Sequence, residues 1–335
     1  MRVLFASLAT VGHTYPLIPL ALAVRDAGHE VHFAVGEEVH EPLAAHGLLP
    51  FRPADSFYEI YAEDLAPELA RLEPDLVVHE WGVPGAAVAA HRAGIPGIWH
   101  GFGRMIPDGI GLESPLGNAE APGLPHVDIC PPSLQDRDFL ATGDRIELRP
   151  VPFSPPAPLA AWVGHRDGRP LIYLTLGTAF GTPELLTAAI AGLASLDARV
   201  LVAAGRVPLD QLGKLPGNVT VRAWVPQAEL LRHVDAVVHH GGSGTTLGAL
   251  AVGVPQLVMP QGADQFANAD ALVAAGVALR LLPADFSADA LAAQTRALLS
   301  PPCGHRDAAR GIAEEIARMP TPHDVARRLP DYARR

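Results

Sequence analysis

Apolar residues fall along this chain in short compact runs, separated by longer stretches where they recur every three or four positions. Residues 3–6, 31–35, 76–79 and 96–100 are such runs, with the composition of strands buried on both faces of a parallel sheet. Between them, residues 8–14 read as a loop containing Gly12, and Pro16 suits a first helical turn. Leu17, Leu20, Ala21 and Val24 then share one helical face ahead of a stop at Gly28. Residues 37–46 and 86–93 predict helices closed by Gly47 and Gly94. Residues 101–148 are rich in Gly, Pro and Asp with little period, which predicts loops and short elements. The alternation restarts with strands at 171–176, 199–203, 219–222, 236–239 and 256–259. Helices are predicted at 183–196, from the turn after 239 to 252, at 267–275, at 287–299 behind a Ser287 cap, and at 305–318.

Strands alternating with helices imply parallel sheets with right-handed crossovers. Five prolines in the ten residues 149–158 form a stiff linker. The expected fold is α/β, with two Rossmann-like βαβ domains facing a central cleft. The first spans residues 1–148, the linker 149–158 and the second domain 159–319, followed by a C-terminal helix at 320–335. Ligands of such sheets bind outside the strand carboxyl ends.

Composition narrows the function. A chain of 335 residues with 49% hydrophobic content supports two buried cores. A net charge of −11 argues against a nucleic-acid binder and against attraction to an anionic membrane. Two cysteines, Cys130 and Cys303, make no disulfide framework, and neither a signal peptide nor an apolar span is evident, so a cytoplasmic protein without membrane insertion is expected. Lys214 is the single lysine, which leaves almost no lysine for phosphate or Schiff-base chemistry.

The richest segment is the end of the 236–239 strand, His239-His240-Gly241-Gly242-Ser243-Gly244-Thr245-Thr246. Glycines that turn a strand into a helix let backbone amides approach an anion at the positive end of the helix dipole. Ser243, Thr245 and Thr246 offer hydroxyls and His240 a ring donor. The spacing is neither a P-loop nor a Rossmann fingerprint; the bland alternative is a tight turn with no ligand. Asp264-Gln265, after the next strand, can bond vicinal sugar hydroxyls or simply cap a helix. In Trp224-Val225-Pro226-Gln227, the tryptophan offers a flat face for a nucleobase and Val225 main-chain groups for its edge; the alternative is a core tryptophan. Thr178, at the end of the 171–176 strand, can reach a phosphate or sugar, or belong to a plain turn.

His13 follows the first strand and suits general-base work, since its unperturbed pKa lies near neutrality; a helix cap is the alternative. Glu80 lies in the same layer and can orient it, whereas strand alternation sends His79 to the opposite face. Asp136-Arg137-Asp138 has the Asp-x-Asp spacing of metal-dependent sugar transferases, but no strand precedes it. No Cys-x-x-Cys or His-Glu-x-x-His occurs, so no metal and no cofactor is expected.

Taken in order, these motifs resemble the GT-B glycosyltransferases of family 1, in particular their bacterial natural-product branch. Residues 234–269 carry the strongest likeness and the first 31 residues a close one; it extends over most of 1–50, 74–100 and 160–318. The resemblance implies an inverting, metal-independent glycosyltransferase that moves a deoxysugar from a dTDP-sugar, or less favoured a UDP-sugar, to a hydroxyl of an apolar aglycone, as a monomer or homodimer. It implies that Trp224 stacks on the base, Val225 bonds its edge, and Gln227 and Thr178 belong to the donor site. His240, Gly242, Ser243, Gly244 and Thr245 would hold the diphosphate, and Asp264 and Gln265 the sugar. His13 would deprotonate the acceptor with Glu80 behind it, where many relatives carry Asp. Relatives run longer, and the shortfall falls around residues 56–66 and 113–128, where acceptor loops lie; the resemblance also implies that residues 320–335 cross back to the first domain. A nucleotide-sugar epimerase or hydrolase, and a non-catalytic auxiliary partner of another transferase, are the competing readings.

Overall fold

The computed structural model describes residues 1–53, 60–105, 124–165, 167–177 and 181–333. The chain divides into two units, Met1–Phe153 with Arg318–Arg335, and Ser154–Ala317.

The first unit is built on seven parallel strands. These are β1 (Arg2–Ala6), β2 (Glu30–Ala34), β3 (Leu49–Phe51), β4 (Leu76–Glu80), β5 (Gly97–His100), β6 (His126–Asp128) and β7 (Arg145–Glu147), in the order β3-β2-β1-β4-β5-β6-β7. Val3, Leu4 and Phe5 of β1 and Leu76, Val77 and Val78 of β4 are fully buried, as central strands of a sheet covered on both faces require. Leu17, Leu20, Ala21 and Val24 pack inward from the first helix, Ile18–Asp26, and its approach. Gly28, Gly47 and Gly94 end their helices with φ of +85°, +71° and +62°, a region that L side chains avoid. Arg149 N–H donates to the Pro320 carbonyl at 2.8 Å, and the short helix Pro322–Ala326, closed by a Thr321–Asp324 capping box, packs on Ile18–Asp26. The C-terminal segment thus completes the first unit.

The second unit has six parallel strands, β8 (Leu171–Thr175), β9 (Arg199–Ala203), β10 (Val219–Arg222), β11 (Ala236–His239), β12 (Gln256–Val258) and β13 (Ala278–Arg280), in the order β10-β9-β8-β11-β12-β13. Its main core joins Ile172, Leu174, Val200, Val202 and Val238 of the sheet to Leu186, Ile190 and Leu193 of one helix and Leu291 and Leu298 of another. Both sheets reverse direction once: the chain winds outward from β1 to β3 and then restarts at β4 beside β1, and outward from β8 to β10 before restarting at β11 beside β8. Each reversal leaves a crevice at the carboxyl ends of two adjacent strands, the place where open α/β sheets bind ligands.

One stretch differs from the sequence expectation. Residues 8–14 are not all loop: Val11–Thr14 form a helical turn, because Thr14 folds back to donate from Oγ1 to the Leu8 carbonyl at 2.9 Å and pairs with the Ser7 hydroxyl. The short elements expected within residues 101–148 include β6, the helix Arg137–Thr142 and β7, held together by buried Asp128, which accepts from Arg145 Nε, Gln135 Nε2 and the Cys130 amide. Asp136 caps that helix, accepting from the Asp138 and Phe139 amides, and pairs with Arg104. The Asp-x-Asp spacing is therefore a helix start.

Candidate active site

In the first unit, β1 and β4 carry the candidate acid–base pair to one crevice. His13 sits in the helical turn after β1, and Glu80 is the last residue of β4. His13 Nδ1 lies 2.9 Å from Glu80 Oε1, with the carboxylate fully buried and the imidazole 27% exposed. The same oxygen accepts from the Gly82 amide at 2.8 Å. A carboxylate fixed by a backbone N–H holds the Nδ1–H tautomer of the imidazole and leaves Nε2 as the basic nitrogen. Phe102 packs against the His13 ring at 4.8 Å between centroids, and Trp81 meets Phe102 edge-on at 5.9 Å. His79 points to the other face, packs edge-on against Trp99 at 4.2 Å, and burial holds it down to about 3.

Sequence reasoning did not mark Gly82. A Cβ there would stand 2.4 Å from Leu8 Cδ1 and 3.0 Å from Glu80 Oε2, so glycine lets the strand end close over the carboxylate without pressing on either side chain. Nothing in a lone glycine after a strand signals this without the fold.

In the second unit, three distant segments meet at the carboxyl ends of β10, β11 and β12. The turn His240-Gly241-Gly242 leads into the helix Ser243–Ala251, with Gly242 at its cap position. His239 supports the turn from below: its Nε2 donates to Gln256 Oε1 at 2.7 Å, its Nδ1 accepts from the Gly241 amide at 3.1 Å, and burial keeps it neutral, down to about 3. His240 lies between two glycines. A Cβ on Gly177 would fall 2.6 Å from its Cε1, and one on Gly242 2.5 Å from its Nε2. Burial lowers His240 to about 4, against the pull of the Thr175 backbone. Gly244 faces open space at the first turn of the helix.

Two of the three hydroxyls of this turn are already engaged. Ser243 Oγ donates to Asp264 Oδ2 at 3.1 Å, and Thr245 Oγ1 donates to Gln227 Oε1 at 3.2 Å, an oxygen that also accepts from Tyr173. Thr246 Oγ1 is buried on the inner side of the helix. The groups left to meet an anion are the first backbone amides of the helix, with the buried His240 ring, drawn to the Thr175 backbone, beside them. The same bonds tie the other two segments to the turn: Gln227 anchors Trp224-Val225-Pro226-Gln227, and Asp264 anchors the loop before the helix Gln265–Ala274.

Trp224 is 47% exposed, which removes the reading of a core tryptophan. Val225 is buried by its side chain, while its N–H and C=O make no hydrogen bond among the described residues. Asp264 makes no side-chain capping bond; its carboxylate turns toward Ser243 and Asn268 instead. Gln265 Oε1 closes its own loop by accepting from the Gln261 and Gly262 amides at 2.8 and 3.2 Å. Thr178 lies outside the described residues, as do residues 56–59 of the stretch 56–66 and 113–123 of the stretch 113–128. Asn268, whose side chain joins the turn to Asp264, was not singled out by sequence. Among the described residues no group of three or more His, Cys, Asp or Glu is placed to hold a metal ion, and no helix is long and apolar enough to cross a membrane.

Comparison with known proteins adds the chemistry. Residues 187–331 match the family described as erythromycin biosynthesis protein CIII-like, C-terminal domain. The elloramycin glycosyltransferase ElmGT of Streptomyces olivaceus is 35% identical over 387 aligned positions, covering 98% of this chain and 97% of that one. Among solved structures, the glycosyltransferase SnogD from Streptomyces nogalater superposes with a TM-score of 0.84 at 30% identity, covering 99% of both chains. The spinosyn rhamnosyltransferase SpnG complexed with thymidine diphosphate superposes at 0.83 with 26% identity, covering 98% of this chain and all of that one.

Proposed function

Because this chain belongs to the bacterial antibiotic-pathway glycosyltransferases of GT-B fold, we propose that it moves a deoxysugar from a dTDP-sugar to a hydroxyl of an apolar natural-product aglycone, inverting the anomeric centre without a metal. The observation that carries this reading is the hydrogen-bonded convergence of Trp224-Val225-Pro226-Gln227, the glycine turn and Asp264 at the carboxyl ends of β10, β11 and β12. It supplies in one place a stacking face for a base, amides for a diphosphate and a carboxylate for sugar hydroxyls. Thymine is the favoured base because a relative is seen with thymidine diphosphate.

In the reaction, His13 Nε2 takes the proton of the acceptor hydroxyl, and Glu80 stabilises the imidazolium that results. The freed oxygen forms its bond to the anomeric carbon as the bond to the β-phosphate oxygen breaks, and the electron pair leaves with dTDP. The helix amides after Gly242 and the His240 ring meet the charge that develops on the leaving group. Trp81 and Phe102 beside the base give an apolar acceptor something to pack on.

Titration calorimetry with dTDP and UDP tests the donor reading. The expected result is binding of dTDP in preference to UDP, with a loss of about tenfold in Trp224→Ala, the scale of one base-stacking contact. Transfer from a dTDP-sugar panel should give product of inverted configuration by NMR, at a rate unchanged by EDTA. Absence of nucleotide binding, retention of configuration, or loss of activity in EDTA would each overturn the part it addresses.

A further inference from the structure

Asn268 is 6% exposed, in the first turn of the helix that begins after Asp264, and its side-chain amide reaches three acceptors. Nδ2 lies 2.9 Å from the Gly241 carbonyl, 2.9 Å from Asp264 Oδ2 and 3.3 Å from Ser243 Oγ. Gly241 belongs to the anion turn, where a φ of +97° and a close fit against Val258 and the Gln265 backbone leave no room for a side chain. Asp264 belongs to the sugar loop, and it follows Ala263, a non-glycine residue held at a φ of +52°. One amide therefore spans the two segments.

The bonding has a direction. Asp264 Oδ2 accepts from both Asn268 and Ser243, whereas Oδ1 has no hydrogen-bond partner among the described residues. Two donors on one oxygen fix the rotation of the carboxyl group and present the other oxygen outward. An unsupported carboxylate would turn freely, and its bond to a sugar hydroxyl would lose the benefit of preorganisation.

We propose that Asn268 is a positioning residue of the donor site: through its amide the geometry of the anion turn sets the Asp264 oxygen that receives the sugar, so that sugar recognition is coupled to the turn. This rests on the dTDP-sugar reading above. Asn268 touches no substrate atom; it acts through Asp264.

The test compares two affinities in each variant, using dTDP and dTDP-glucose as probes in calorimetry. In Asn268→Ala the ratio of the dTDP-glucose Kd to the dTDP Kd should rise about tenfold over wild type, the scale of a lost hydrogen bond to a charged group, with the dTDP Kd little changed. Equal weakening of both ligands means Asn268 only holds the turn together and overturns the proposal; an unchanged ratio does so too. Asn268→Asp keeps the shape and supplies a readout independent of how Asn268→Ala folds. Its added carboxylate faces Asp264 and the Gly241 carbonyl, so one proton must be shared for the pair to close. The sugar-dependent ratio of Asn268→Asp should therefore approach the wild-type value as pH falls from about 8 to about 6, where that shared proton is held more firmly. A ratio offset that does not change with pH overturns the coupling. If the wild-type protein binds neither probe, the donor reading itself fails, which is a different outcome from wild type binding both and the variants following it.

Discussion

Two strands occupy the same place in their sheets and end almost alike. β4 runs beside β1 and closes on His79-Glu80, while β11 runs beside β8 and closes on His239, with His240 next. In each case the first histidine turns inward, is fully buried and is held neutral by that burial, near 3. In each case the next residue faces the crevice where the sheet reverses. In the first unit that residue is an acid, whose anchored oxygen meets a histidine across the crevice. In the second it is a histidine, pressed between two glycines at the start of a helix. At one topological position an acid paired with a histidine in the first unit stands against a histidine leading into a glycine turn and a helix in the second, and the proposed reaction gives the two crevices different tasks. The scaffold supplies the place, and the side chain after the buried histidine supplies the chemistry.

The sharpest way to break this contrast is to remove the two histidines that it assigns to opposite tasks. His13→Ala should lower turnover on the order of 10²–10⁴-fold while leaving dTDP affinity nearly intact, since a lost general base acts on the chemical step. His240→Ala should lower turnover on the order of 10²-fold and also weaken dTDP, because a donor to the diphosphate acts on binding and on the leaving group together. Steady-state kinetics beside calorimetry reads both. If the two variants show the same pattern, the division of labour between the crevices is wrong.

The crevices also differ in how far the sequence exposes them. In the second unit β9 and β11 fall where their apolar runs predict, because Val, Leu and Ala fill both faces of strands inside the sheet. The glycine turn is legible for a related reason: close backbone approach admits few residue types. The network that joins the turn to Gln227 and Asp264 is not legible, since Thr245–Gln227 and Ser243–Asp264 are contacts between residues 18 and 21 apart. In the first unit the pairing of His13 with Glu80, 67 residues apart, follows only from knowing that β1 and β4 are neighbours. The strands that sequence did not mark, β3, β6, β7 and β13, have three residues each, Leu-Pro-Phe, His-Val-Asp, Arg-Ile-Glu and Ala-Leu-Arg. They are too short and too mixed to show a period, and they lie at or beside sheet edges, where pairing with a formed neighbour decides.

The inward histidines sharpen the comparison from the side of stability. His239 satisfies both ring nitrogens, through Gln256 and the Gly241 amide, whereas both nitrogens of His79 are buried with no hydrogen-bond partner among the described residues. A histidine whose folded pKa is pushed to about 3 from an unfolded value of 6.5 favours the folded state fully above pH 6.5. As pH falls below that value the unfolded chain takes up the proton first, and stability is lost progressively down to the folded pKa. Replacing His79 by leucine removes one such group. Denaturant unfolding should then show His79→Leu losing less stability than wild type between pH 7 and pH 5, by about 2 kcal/mol. Parallel losses in the two proteins would mean that His79 is not a source of acid lability.

The smallest effect tests whether the acid crevice is held as tightly as the anion crevice. His240 is confined by two glycines, and Glu80 by one, Gly82. In Gly82→Ala the new methyl meets Leu8 Cδ1, the far end of a flexible side chain, and Glu80 Oε2 at 3.0 Å. Leucine can rotate away, so the fold should survive with a loss of about 1 kcal/mol. The carboxylate has less freedom, because its other oxygen is bound both to the Gly82 amide and to His13. The strain should therefore pass to the His13 ring. Turnover is expected to fall by a few-fold to about tenfold at saturating donor, with the pH dependence of kcat displaced because the pairing of His13 with Glu80 has changed. Donor KM should stay near the wild-type value. A pH profile identical to wild type would show that the carboxylate tolerates the methyl without moving, and that the first crevice gains its precision from the His13–Glu80 contact alone.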